Sequence, residues 1–174
     1  MERVVSIQTD LRDPSLADAV ATGQPLVAVS VFHGVMSSGS EVDPALSFAV
    51  NLVSTRALLM HLASTNPGVR VVYAPSQAVY GPPLPPVVTD ATTPTPASAY
   101  GTHKLMSQLF INDLHRRHLL GAFSLRFPSI SVRAGKPTQA ASSFLSGMTR
   151  EPLNGHECII PLKDSTERLD SSCP

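Results

Sequence analysis

Ser76, Tyr100 and Lys104 have types and spacing suited to taking a proton from a hydroxyl group. Tyr100 and Lys104 stand four apart, so a helix over them presents both on one face. A tyrosine hydroxyl has a pKa of about 10 and is a poor base near neutrality. An ammonium on the same face favours the phenolate and lowers that value. A serine hydroxyl at a strand end can hold the substrate oxygen as the tyrosine removes its proton. Loss of a proton alone oxidises nothing, so the chemistry also needs a hydride acceptor, and nicotinamide cofactors supply one. Tyr-x-x-x-Lys is also met as an ordinary helix pair, and the spacing alone does not separate the two.

The elements that must position these residues are visible in the patterning. Residues 69–74 (VRVVYA) form a short apolar, β-rich run ending just before Ser76, which predicts a buried strand. Between Ser76 and Ser98 stand Pro82, Pro83, Pro85, Pro86, Pro94 and Pro96, so this connection is a stiff surface loop. It reads as a wall beside the site or as a docking peptide. Residues 99–120 predict a helix with Leu105, Leu109, Ile111, Leu114 and Leu119 available to a core, ended by Gly121.

Upstream, residues 3–8 read as a strand, and Asp13-Pro14 opens a short helix over 14–21. Residues 26–32 (LVAVSVF) are apolar throughout, as a parallel strand buried on both faces should be. Asp43-Pro44 starts the longest helical pattern, to residue 65, with Leu46, Val50, Val53, Ala57 and Met60 repeating at threes and fours. Asn66-Pro67-Gly68 stops it. Downstream, a strand over 122–127, a helix over 142–150 and a strand fragment over 157–161 are expected, then a polar tail over 162–174. The domain reading is therefore one α/β unit over 1–161 plus that tail.

With 43% hydrophobic and 15% charged residues and a formal net charge of +0, the composition is globular. A neutral balance gives no electrostatic reason to expect nucleic acid or a membrane surface as partner. Cys158 and Cys173 are too few for a disulfide framework, and His115 and His118 gather no further ligands, so no metal site is expected. His33 is read as structural. No apolar run reaches about 18 residues and the N-terminus is not signal-like, so a soluble cytoplasmic protein is expected.

Two segments carry a family resemblance. SQAVYG (residues 76–81) and YGTHK (residues 100–104) resemble the extended short-chain dehydrogenase/reductase family, also called the NAD-dependent epimerase/dehydratase family. Residues 125–137 (LRFPSISVRAGKP) and 141–155 look like its D-erythronate dehydrogenase branch. The resemblance implies a doubly wound, Rossmann-like parallel sheet. It implies NAD as cofactor, with NADP left open, and a small sugar acid as substrate. Tyr100 would be the general base, Ser76 would orient the substrate, and Lys104 would lower the tyrosine pKa and hold the nicotinamide ribose. Asp10 and Leu11 would lie beside the adenine, although Asp10 equally suits a turn. Asn51 would fix the cofactor or support Lys104 through water, and Pro128 and Ile130 would pass the nicotinamide. Arg133, with Arg126 and Lys136 nearby, would suit a carboxylate. Gly34, Val35 and Met36 depart from the His-Leu-Ala-Ala usual in the family at the end of the second strand.

The family begins with strand, Gly-x-x-Gly-x-x-Gly, helix, strand, and no such motif occurs in these residues. The expected fold is thus an incomplete Rossmann-like sheet lacking its first two strands and the Gly-rich loop, with an open edge through which copies could associate. Three functional readings stand at this point: a sugar-acid dehydrogenase, an inactive remnant or interaction subunit, and a sugar epimerase or dehydratase sharing the same triad.

Overall fold

The computed structural model describes residues 4–13, 25–131 and 143–160. Three parallel strands form one sheet in the order β1 (Ala28–Val31), β2 (Arg70–Tyr73), β3 (Gly121–Ser124). Val29, Val71 and Ala122 share one register line, and Val31, Tyr73 and Ser124 another. Both crossovers are helical, as parallel pairing requires. The first contains α1 (Ser37–Val42) and α2 (Pro44–Thr65); the second contains α3 (Ala99–Arg116). A last helix, α4, covers Ser143–Leu153.

The core lies between one sheet face and helices α2 and α3. Val31, Val71, Tyr73 and Ala122 point into it from the strands, and Leu59, Leu62, Ile111 and Leu114 meet them from the helices. Strand alternation sends Ala28, Ser30 and Phe123 to the other face, where Phe123 is 50% exposed. The expectation that residues 26–32 are buried on both faces is therefore corrected. Val27 and Phe32 are exposed, and β1 is an edge strand paired only with β2 among the described residues.

Other boundaries also move. Residues 4–8 form no strand and are exposed, and among the described residues no neighbouring strand takes up their N–H and C=O groups. Residues 157–160 likewise form no strand. The expected helix over 14–21 and tail over 162–174 lie outside the described residues. α1 was not anticipated. Gly121 does not end α3; it opens β3. The chain leaves α3 through His118, at φ 59°, with Leu119 N donating to Leu114 O.

The long helix holds the largest correction. Asp43 caps α2 as expected, its side chain accepting from Leu46 N at 2.9 Å. A π-helical stretch, Ala49–Val53, then interrupts the α-helical Pro44–Phe48 and Ser54–Thr65. The buried line runs through Ser47, Asn51, Ser54, Thr55, Leu59 and Leu62, whereas Val53, Ala57 and Met60 face outward. In α3, Leu109 is likewise exposed, and Tyr100, His103, Lys104 and Ser107 are buried. By length and composition alone α2 could cross a membrane, its most apolar window having a mean hydropathy of 1.3. The sequence reading of no long apolar run did not anticipate this. Within the fold, the polar groups on its buried line are hydrogen-bonded to the protein.

Candidate functional site at the carboxyl ends of the strands

The site is built where β1 and β2 end, the side of an open α/β sheet that receives ligands. β2 leads through Ala74 and Pro75 to Ser76, which caps a 3-10 turn, Gln77–Val79, by accepting from Ala78 N at 3.2 Å. α3 packs directly on this turn. A Cβ on Gly101 would lie 2.1 Å from the Ala78 carbonyl oxygen, so only glycine permits the approach. The start of α3 is held by Ser98 Oγ, which accepts from Gly101 N, and by Glu41, whose carboxylate accepts from Ala99 N at 2.7 Å.

This approach brings the buried Tyr100, at the start of α3, beside the Ser76 turn. Burial raises the Tyr100 pKa above its ordinary value, and the neighbouring Ser76 hydroxyl acts in the opposite direction. Lys104, one turn further on, is 2% exposed. Its Nζ donates to the carbonyls of His33 at 2.9 Å and Ala74 at 3.2 Å. It also lies over the rings of Tyr73, 5.0 Å from the centroid, and Tyr100, at 5.7 Å. Burial brings its pKa down to about 8, so it remains mostly charged at neutral pH. The ammonium thus sits over the Tyr100 ring and bonds two strand-end carbonyls, and burial outweighs any lowering of the Tyr100 pKa.

Asn51 reaches the same place from α2. Its Oδ1 accepts from Val35 N at 2.7 Å, and its Nδ2 donates to Val35 O at 3.0 Å. The amide therefore pairs with both backbone groups of one residue in the turn after β1. That turn passes close to Lys104, since a Cβ on Gly34 would meet Asn51 Oδ1 at 3.0 Å and Lys104 Nζ at 3.3 Å. His33 adds a side-chain bond to Thr55 at 2.9 Å, and burial lowers its pKa to about 4, with the Lys104 charge adding to the shift.

The remaining expected residues fall less centrally. Pro128 and Ile130 are exposed and flank Ser129, whose Oγ accepts from Gln77 Nε2 at 3.0 Å, so their segment lies beside the Ser76 turn. Arg126 is engaged by neighbours: its guanidinium stacks on Tyr80, pairs with the Tyr80 hydroxyl, and donates to Gln108 Oε1. Asp10 and Leu11 sit in the separate segment 4–13, where the exposed Asp10 carboxylate is bound by Arg12 at 2.6 Å. Arg133 lies outside the described residues. The sequence reading missed Ser40, Ser47, Thr55, His103 and Ser107, all buried around Asn51 and Lys104. Their signal was a polar repeat, 40, 47, 51 and 55, inside an apolar segment, which a search for apolar periodicity passes over.

Comparison with known proteins is consistent across three findings. The description of the NAD dependent epimerase/dehydratase family matches residues 2–170. D-erythronate dehydrogenase of Haemophilus influenzae is 38% identical over 174 residues, covering 99% of this chain and 54% of that protein. D-erythronate dehydrogenase of Cupriavidus necator is 42% identical over 167 residues, covering 94% and 50%. The crystal structure of a nucleoside-diphosphate-sugar epimerase from Agrobacterium tumefaciens superposes with a TM-score of 0.80 at 34% identity, covering 88% of this chain and 46% of that one. The chain spans about half the length of the curated relatives it matches.

Proposed function

The chain belongs to the NAD-dependent epimerase/dehydratase family, and from that premise we propose that it carries the proton-transfer half of an NAD-dependent dehydrogenase acting on a hydroxyl of a small, D-erythronate-like sugar acid. The observation that carries this reading is a buried Tyr100 with the buried Lys104 one helical turn on, its Nζ over the Tyr100 ring, where α3 packs against the Ser76 turn. Ser76 donates to the substrate hydroxyl oxygen and holds it against Tyr100. Tyr100, as phenolate, takes the hydroxyl proton. Held beside Tyr100 and Lys104, NAD would supply the hydride acceptor for the carbinol carbon and a positive charge that favours the phenolate. Lys104 presents an ammonium to the ribose and keeps the ends of β1 and β2 together beneath it.

The residues present fit the nicotinamide end of the dinucleotide. The missing Cβ at Gly34 leaves room beside Lys104 and Asn51, and the 126–131 segment is tied to the Ser76 turn through Ser129. Asp10 and Leu11 are proposed for the adenine end, and Arg133 for the substrate carboxylate. The substrate assignment is supported by the two dehydrogenase relatives. The sequence holds no Gly-x-x-Gly-x-x-Gly turn for the diphosphate. A second reading, an interaction subunit, is supported by the edge of β1, which pairs only with β2 among the described residues.

Calorimetric titration of the purified chain with NAD, followed by D-erythronate and detection of NADH, separates the two. Binding with turnover that disappears in Tyr100→Phe while binding persists supports the dehydrogenase. No heat at millimolar NAD, or a Tyr100→Phe variant as active as the parent, overturns it.

A further inference from the structure

We propose that His103, the residue before Lys104, is a positioning residue that sets the turn after β1 beneath the Lys104 ammonium. The proposal rests on the reading of Lys104 given above. His103 is 8% exposed, its ring edge-on to Phe48 at 5.5 Å. Its Nδ1 lies 2.9 Å from Ser47 Oγ. Ser47 is a hub: its hydroxyl donates to Ser40 Oγ at 2.8 Å and accepts from Asn51 Nδ2 at 3.1 Å. Ser40 in turn donates to Val35 O at 3.0 Å, the carbonyl that Asn51 also holds.

Proton accounting fixes the direction of the His103 bond. The Ser47 proton goes to Ser40 and the Ser40 proton goes to Val35 O, so His103 Nδ1 must donate, filling the second lone pair of Ser47. The bonds then close a ring. From α3, His103 reaches Ser47; Ser47 reaches Val35 through Ser40 and Asn51; two residues back, His33 O receives the Lys104 ammonium, which returns to α3. The turn is thereby held from both sides by adjacent residues of one helix. A buried network of this kind specifies one geometry only when every member is satisfied. Without the His103 donor, Ser47 keeps its bonds to Ser40 and Asn51 but loses its hydrogen bond to α3, and Val35 is held from α1 and α2 without that tie.

The test compares the 174-residue chain with His103→Leu, His103→Asn and Ser47→Ala. The readouts are hydrogen exchange at the Val35 amide, with the β2 amides as a global reference, and NAD affinity. His103→Leu and Ser47→Ala should each speed Val35 exchange by about tenfold relative to β2, as expected for loss of one buried hydrogen bond. His103→Asn, which restores an amide donor near the Nδ1 position, should recover most of that protection. NAD affinity should follow the Val35 exchange across the three variants. Val35 exchange that is unchanged in His103→Leu, or that rises only in step with β2, overturns the proposal. If the parent chain fails to bind NAD, the dehydrogenase reading falls, and that outcome is distinguished from failure of the His103 link because the link is read in Val35 exchange.

Discussion

Lys104 and Asp10 are both charged residues assigned to a dinucleotide site by resemblance, and the structure treats them in opposite ways. Lys104 is almost fully buried and bonds a carbonyl 71 residues away. Asp10 is exposed, and its partner, Arg12, is two residues away. A local ion pair in solvent contributes little and constrains nothing else. A buried ammonium must satisfy its donors from whatever surrounds it, so it fixes the elements around it. The contrast teaches that the reach of a residue's bonds along the chain, more than its charge, marks a built site.

The strongest way to break this contrast is to remove the charge at its buried pole. Lys104→Met should lower turnover by about a thousandfold, in the range expected for an acid–base group. Its circular dichroism should stay native, since a buried charge is replaced by an apolar chain. Retained turnover would reduce Lys104 to a structural residue and erase the distinction.

A second test separates position from charge. Gly101→Ala forces a Cβ into the Ala78 carbonyl and should destabilise the fold by about 3 kcal/mol, as overpacking does. Chemical denaturation would read this directly. An unchanged denaturation midpoint would mean that α3 and the Ser76 turn are not held at the distance the structure assigns.

The pH dependence of stability sharpens the contrast further. The unfolded His33 titrates near 6.5 and the folded one near 4, so the unfolded chain binds more protons between them. Stability should fall as pH drops from 6.5 to 4. For Lys104 the corresponding values are 10.5 and about 8. There too the unfolded chain binds more protons, and stability should rise as pH rises from 8 to 10.5. Each change is at most about 3 kcal/mol, and melting curves across both windows check it. A flat profile would show that the two groups are more hydrated than their burial implies.

The smallest effect is expected at the exposed pole. Asp10→Asn should leave the melting temperature unchanged and weaken NAD binding by less than about threefold, as for a solvent-exposed pair. A larger loss of affinity, measured by calorimetry, would place Asp10 against the adenine and collapse the contrast.

How far the sequence could be read follows the same division. The strands expected over 26–32, 69–74 and 122–127, found at 28–31, 70–73 and 121–124, their parallel order, and the placement of Ser76 after β2 and of Tyr100 and Lys104 on α3 were legible, because local patterns and short motifs encode them. The buried face of α2 was not. Val53 and Met60 fit an apolar repeat yet point outward, since the π-helical stretch that ends at Val53 shifts the helix phase and several inward positions are polar. Ser47 and His103 lie 56 residues apart, and neither makes sense until the fold brings them together. The strand expected over residues 3–8 failed for the converse reason: its pattern was right, but a strand also needs a neighbour.

The wide turn at Ala49–Val53 has a consequence for which changes of chain length this protein can tolerate. A π-helical turn accommodates one residue more than a regular turn, and each residue advances a helix by about 100°. Loss of a single codon anywhere in that stretch would restore a regular helix without breaking it. It would also turn Leu59 and Leu62 away from the sheet, or Ser47 away from His103. A deletion that improves the helix should therefore damage the protein, and one residue inserted elsewhere in α2 should be the change most able to rescue it.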